Sequence, residues 1–305
     1  MNKYKNIGII ACDLRQVHMA KYLMNKGYSI NLICSEKLSH NKEYKESIHG
    51  IIYSGDFSDL RIVYDIEEII NTSQVIVTPI PFNKISEFIV IPKFISLLNE
   101  REDVSSILLY AGYIDNEARV ILDKTNIKYI DYSKSEKLAI YNSIATAEGI
   151  IAEAILSKDT NLHGSKAIIL GYGKCGKTLA DKLKGLNVKV SICVRREEEL
   201  ALANSLGFST VNLHNLIMEI SKYEYIFNTI PNIILKEDIL RKVSVNSIIL
   251  DIASLPGGVD KSAANKYNIC VKHSLGIPGK YSPRSSGIAI AKDLLDYIQW
   301  IVYIK

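Results

Sequence analysis

Cysteine is scarce and unpaired in this chain: Cys12, Cys34, Cys175, Cys193 and Cys270 are five, far apart, without a CxxC pair or a His/Cys cluster. The pattern excludes a disulfide framework and offers no metal ligand set, so it predicts reduced, mostly buried thiols and a cytoplasmic location. Long apolar runs are missing too. None reaches the length that spans a bilayer, and residues 1–6 lead straight into a strand, which predicts neither secretion nor a membrane partner. Charge of one sign is not concentrated anywhere: the net charge is +4, with basic residues scattered between acidic ones. That excludes the dense positive field of a nucleic-acid binder and suits a small anionic ligand better. With 48% hydrophobic and 23% charged residues in 305, the composition excludes disorder and allows two domains with separate cores.

What is present is a glycine loop in context. Gly171-Tyr172-Gly173-Lys174-Cys175-Gly176 follows the apolar run Ala167-Ile168-Ile169-Leu170 and opens a segment of helical spacing that Gly185 ends, before a second strand over 188–194. In a dinucleotide site the first glycine makes the tight turn, the second lets backbone N–H groups approach a pyrophosphate, and the third lets the helix pack close to its strand. The helix N-terminus then offers unpaired donors and a positive dipole end to the phosphates. Where an NAD site carries an acid at the end of the second strand, this chain has Arg195-Arg196. A guanidinium there favours a 2′-phosphate, so the expected cofactor is NADP, with NAD the alternative if Arg196 is only a solvated charge at a helix start. Glu197, Glu198 and Glu199 are expected to start that helix and point to solvent.

Strand and helix patterns alternate along both halves. In the first, strands are expected over 5–11, 29–34, 74–78, 106–110 and 128–131, with helices over 15–26, 92–98 and 115–124; in the second, strands are expected over 166–170, 188–194, 225–228, 247–251 and 269–272. The expected fold is α/β: two doubly wound, mostly parallel, Rossmann-like sheets joined by long crossing helices. The domains are read as 1–138, a substrate domain; 139–160, within a linking helix that starts at 135 and places Leu138, Tyr141, Ile144, Ile151 and Ile155 on one side; and 161–283, the NAD(P)-binding domain. A last helix over 284–305 returns to the first domain. A cleft at the carboxyl ends of the strands is where such folds bind ligands.

Three loops at that edge of the second half combine small residues with proline. They contain Thr229-Ile230-Pro231, Ala253-Ser254 and Gly276-Ile277-Pro278, and are expected to meet the cofactor. In the first half Ala11-Cys12-Asp13 stands where a Gly-x-Gly would be needed, so that half is expected to take the substrate. Asp13, after the first strand, and Glu148, in the linking helix, are candidate acids for proton transfer. Arg15, Gln16, Lys280 and Arg284 suit a substrate with carboxylates, and Ser143 and Thr146 add neutral donors. Histidine offers little: His18, His40, His49 and His214 lie in helical or polar surroundings and are expected to face solvent, and His163 is at the wrong end of its strand. His273 is better placed, near the end of the last strand, but the sequence supplies it with no orienting acid.

The motifs Asp13-Leu14-Arg15-Gln16, the run 139–149 with its Tyr141-Asn142-Ser143, the glycine loop, Asn228-Thr229-Ile230-Pro231, Leu250-Asp251-Ile252-Ala253-Ser254 with Pro256-Gly257-Gly258, and Gly276-Ile277-Pro278-Gly279 together resemble the dipicolinate synthase A family of endospore-forming bacteria. The resemblance implies NADP-linked oxidation of a cyclic dihydro- or tetrahydrodipicolinate to pyridine-2,6-dicarboxylate during sporulation, in the mother-cell cytoplasm. A flavoprotein-like B subunit is the partner it implies, and a homo-oligomer is also expected. In that reading Arg15 with Lys280 or Arg284 holds the two carboxylates, and Asp13 or Glu148 moves protons. The second half is also similar to the nucleotide-binding domain of D-2-hydroxyacid dehydrogenases, but Pro278-Gly279 replaces their Pro-His pair and Ile230-Pro231 lacks their arginine. A dinucleotide-binding scaffold or redox sensor is the non-enzymatic alternative.

Overall fold

Short apolar runs such as Ile7-Gly8-Ile9-Ile10 and Ala167-Ile168-Ile169-Leu170 become central strands. In the computed structural model, which describes residues 4–40 and 60–304, the chain divides into two compact units, Met1–Ala139 with Pro283–Lys305, and Ile140–Ser282. Six helices carry the residues of interest: α1 (Leu14–Met24), α2 (Glu136–Leu156), α3 (Lys174–Gly185), α4 (Glu197–Ser205), α5 (Ile277–Tyr281) and α6 (Pro283–Ile304).

The first unit contains β1 (Asn6–Ala11), β2 (Ser29–Cys34), β3 (Leu60–Ile62), β4 (Val75–Val77), β5 (Leu108–Ala111) and β6 (Lys128–Asp131), in the order β3-β2-β1-β4-β5-β6, every neighbour parallel. Alternation sends Ile7, Ile9 and Val77 to one face, against Val17 and Leu23 of α1 and Ile290 and Leu294 of α6; Ile10, Ile76 and Leu109 go to the other, against Ile69, Phe94 and Leu98. Each such side chain, fully buried, contributes about 1.5–3 kcal/mol. Helix α6 crosses α1 closely at Gly287, where a Cβ would collide with the carbonyl oxygen of Arg15. Tyr110 and Ser135 donate hydrogen bonds of 2.6 and 2.7 Å to Asp293 of α6.

The second unit repeats the plan with β7 (Lys166–Leu170), β8 (Lys189–Val194), β9 (Ser209–Asn212), β10 (Tyr225–Asn228), β11 (Ile248–Asp251) and β12 (Cys270–His273), ordered β12-β11-β10-β7-β8-β9 and parallel throughout. Both sheets therefore have the doubly wound Rossmann order, which reverses beside the first strand of each unit. The strands read from sequence lie within two residues of those observed. Two were missed, β3 and β9. Each is an outer strand, and Leu60-Arg61-Ile62 and Ser209-Thr210-Val211-Asn212 are too short or too polar to announce burial.

Several expectations need correction. In α2, Leu138 and Ile151 are buried, but Tyr141 and Ile155 are each 50% exposed, and Ala147, Ile150 and Ala154 face the core instead. The small side chains of the two alanines allow the closer approach. By length and composition α2 is also apolar enough to cross a membrane, contrary to the sequence reading; half of its apolar window is buried within the protein, as in a core helix. None of the five cysteines forms a disulfide, yet only Cys193 is buried, and Cys270, on the edge strand β12, is exposed. His214 and His163 are exposed and His18 is half-buried, whereas the side chain of His40 and the whole of His49 lie outside the described residues.

Candidate functional site

The glycine loop has three distinct backbone roles in the second unit. Gly171 adopts φ +98°, in the left-handed region, beside Thr229 and Ile230, and its N–H donates to Cys193 at 2.9 Å. Gly173 is the N-cap of α3, has no side-chain cap, and has nothing within 4 Å of where a Cβ would stand. A Cβ at Gly176 would collide with the carbonyl oxygen of Gly171. The turn is thus tight at both ends and open in the middle, where a phosphate would meet the first N–H groups of α3.

Not every residue of the loop faces that opening. Tyr172 is buried, its ring edge-on to Phe208 at 6.3 Å with the Lys177 ammonium 5.5 Å from its centroid, so its side chain belongs to the core. Cys175 is half-buried, and burial pushes its thiol pKa up; Lys174 begins α3. Arg195 and Arg196 are exposed directly after β8, and Arg196 is the N-cap of α4. The acids after them do not all point outward, because Glu199 folds back onto the Arg196 guanidinium and Glu197 accepts from Asn212 at 2.9 Å.

The carboxyl ends of β10, β11 and β12 carry a polar row. Asn228, Asp251 and His273 are consecutive register partners. Asn228 donates to Asp251 Oδ1 at 2.8 Å and to the Ile230 carbonyl at 3.0 Å, while Ala253 N–H and Gly258 N–H donate to Asp251 at 3.1 and 2.8 Å. Asp251 so ties together the loops bearing Ile230-Pro231 and Ala253-Ser254. Thr229 closes the glycine turn by donating to Leu170 at 2.9 Å. Gly276, at φ +68°, starts α5, and Pro278 lies in its first turn.

Lys280, expected to meet substrate, is committed elsewhere. Its ammonium donates at 2.9 Å to Glu153 of α2, a carboxylate that is 1% exposed and also accepts from Ser274 and, at 2.8 Å, from Tyr281, with the Lys272 ammonium at 3.3 Å. Burial alone would raise the Glu153 pKa; the hydrogen bonds from Ser274, Lys280, Tyr281 and Lys272 prevail and hold it at about 2. Gly149 lets α5 come close, since a Cβ there would strike Ile277 and, at 2.7 Å, Tyr281. Glu153 went unread in the sequence, though an acid amid Ile150, Ile151, Ala152 and Ala154 was its signal. Two other α2 residues are also occupied: Ser143 is buried and bonded to the Ile140 carbonyl and Thr178, and Glu148, exposed, pairs with Lys182 at 2.8 Å. Thr146 is half-buried.

In the first unit Asp13 caps α1 in a capping box with Gln16, and grips Arg15 by Nε at 3.0 Å and Nη2 at 2.6 Å. Burial would raise the Asp13 pKa, but the hydrogen bonds and charge of Arg15 lower it, and both carboxylate oxygens are engaged by Arg15. The Arg15 side chain is 9% exposed; its Nη1 makes no hydrogen bond to a described residue, and the buried Gln16 Nε2 has no partner among them. Arg284 is exposed at the start of α6, close enough that, after burial, its charge helps lower the pKa of His18.

No family profile matches the chain. The dipicolinate synthase A protein of Bacillus subtilis (strain 168) is 31% identical over 187 residues, which cover 61% of this chain and 63% of that relative, just under two thirds of its length. The crystal structure of the corresponding protein from Bacillus halodurans superposes with a TM-score of 0.82 at 26% identity, over 96% of this chain and 97% of that one. The crystal structure of the Bacillus subtilis dipicolinate synthase A protein gives 0.78 at 26%, over 96% of each. A transhydrogenase from Sinorhizobium meliloti, TM-score 0.66 at 17% identity over 97% of this chain and 94% of that one, shares the fold. In sequence and in fold, the chain is similar to the dipicolinate synthase A proteins of these two Bacillus species.

Proposed function

We propose that the chain is an NADP-linked oxidoreductase that converts a cyclic dihydrodipicolinate, formed by loss of water from its hydroxylated tetrahydro precursor, to pyridine-2,6-dicarboxylate. The observation that carries the reading is the open glycine turn at Gly173 in a chain related to dipicolinate synthase A proteins. The dinucleotide supplies a hydride acceptor. Gly171, Gly173 and Gly176 shape its phosphate cradle, Arg195 and Arg196 suit a 2′-phosphate, and the loops of Ile230-Pro231, Ala253-Ser254 and Gly276-Pro278 line the ring end. In the other unit Arg15, preset by Asp13, offers Nη1 to one carboxylate, with Gln16 Nε2 beside it and Arg284 as the second cation. Aromatisation supplies a driving force that simple alcohol oxidation lacks. A flavoprotein-like B subunit is the proposed partner and the mother-cell cytoplasm the proposed setting.

Mixing the purified chain, with and without the B subunit, with the cyclic intermediate and NADP⁺ is the test. The expected result is pyridine absorbance with stoichiometric NADPH, and Arg196→Ala should raise KM for NADP⁺ about tenfold while leaving NAD⁺ unaffected, as lost phosphate contacts do. Turnover of a D-2-hydroxy acid panel instead, or no product with either mixture, sinks the reading.

A further inference from the structure

We propose that His273 is the proton acceptor in this oxidation, an assignment that rests on the function proposed above. His273 ends β12, in register with Asp251 at the end of β11, which is itself in register with Asn228 at the end of β10. Its Nε2 lies 2.9 Å from the carbonyl oxygen of Ala253. A carbonyl only accepts, so Nε2 carries a proton, and in the neutral ring the lone pair sits on Nδ1. That nitrogen makes no hydrogen bond to a described residue.

The orientation is held from behind. Ala253 is fixed by donating its own N–H to Asp251, and Asp251 by Asn228 and Gly258. Gly257 brings bare backbone against the imidazole: a Cβ there would stand 3.1 Å from Cε1 and 3.3 Å from Nε2. A peptide carbonyl thus does for this histidine what a carboxylate does in other proton-transfer sites, selecting the tautomer and the ring plane. The acids that sequence offered are occupied: Asp13 grips Arg15, and Glu148 pairs with Lys182; Glu153, the buried acid, is enclosed by four donors. Ligands of this fold bind outside the carboxyl ends of the strands, where His273 stands.

The step balances. One ring hydrogen of the dihydropyridine dicarboxylate departs with its electron pair to the oxidant, a nicotinamide dinucleotide of the class proposed above. The second leaves as a proton to Nδ1, and its bonding pair stays in the ring to complete the aromatic system. The imidazolium then returns the proton to water.

The full chain carrying ¹⁵N-labelled histidine gives a readout independent of turnover. NMR should show His273 protonated on Nε2, with its Nδ1 resonance shifting when pyridine-2,6-dicarboxylate is added; an unmoved resonance at saturating ligand overturns the assignment. In kinetics, His273→Ala should lower kcat about 100-fold or more at nearly unchanged KM, with partial recovery on adding imidazole. His273→Asn, which can still donate to Ala253, carries the same test if the Ala variant does not fold. An active wild type whose variants stay within about threefold in kcat refutes His273 alone, whereas a wild type inactive with and without its partner refutes the function and this inference together.

Discussion

In the first unit the turn after β1 closes on its own chain, because Asp13 caps α1 and grips Arg15; in the second the turn after β7 stays open, because Gly173 caps α3 with no side chain at all. The strand order and the parallel pairing are the same in both. What differs is whether the helix N-terminus is capped by a side chain or left uncapped. The comparison teaches that a shared fold assigns the place of a site, and a few side chains in one turn assign its chemistry.

The largest expected effect breaks the closed turn. Asp13→Ala uncaps α1 and leaves a buried guanidinium unpaired, at a cost of about 3–5 kcal/mol. Urea unfolding with hydrogen exchange in α1 measures it, and a loss under about 1 kcal/mol would contradict the self-satisfied turn. The Asp13 pKa is lowered by folding, so its stabilisation is full above the unfolded carboxylate range, near 4, and fades as pH falls through the folded value. Wild type and variant should converge in acid.

Closing the open turn comes next. Gly176→Ala should weaken NADPH binding about 100-fold, or ~2.7 kcal/mol, by forcing the loop off the Gly171 carbonyl. Fluorescence titration reads this, and an unchanged Kd removes the turn as the binding site. A smaller effect sharpens the contrast: Glu153→Gln should cost about 2 kcal/mol and lower Tm by roughly 4–8 °C, since the Glu153 network ties Ser274 and α5 to α2. With its pKa held at about 2, the difference should be full above the usual carboxylate range and vanish as pH falls toward 2. A difference that persists unchanged at pH 2 would assign the loss to packing rather than to charge.

The glycine loop and the strand positions were legible because each is local: a turn or a run is written in contiguous residues. The destinations of Lys280, Ser143 and Tyr172 were not. Lys280 finds Glu153, 127 positions away, and Tyr172 meets Phe208, so neither partner is announced by spacing. His273 had no orienting acid in the sequence, because its partner is a backbone carbonyl brought there by sheet register.

The sequence by itself determined the alternation of strand and helix and the position of the glycine turn, since periodicity and backbone freedom are properties of neighbouring residues. Only the tertiary structure decided which charges are free and which are consumed. A buried carboxylate takes whatever donors the fold brings within hydrogen-bonding reach, and Glu153 so takes the exposed Lys280, while Arg15 Nη1 and His273 Nδ1 have no hydrogen-bond partners among the described residues.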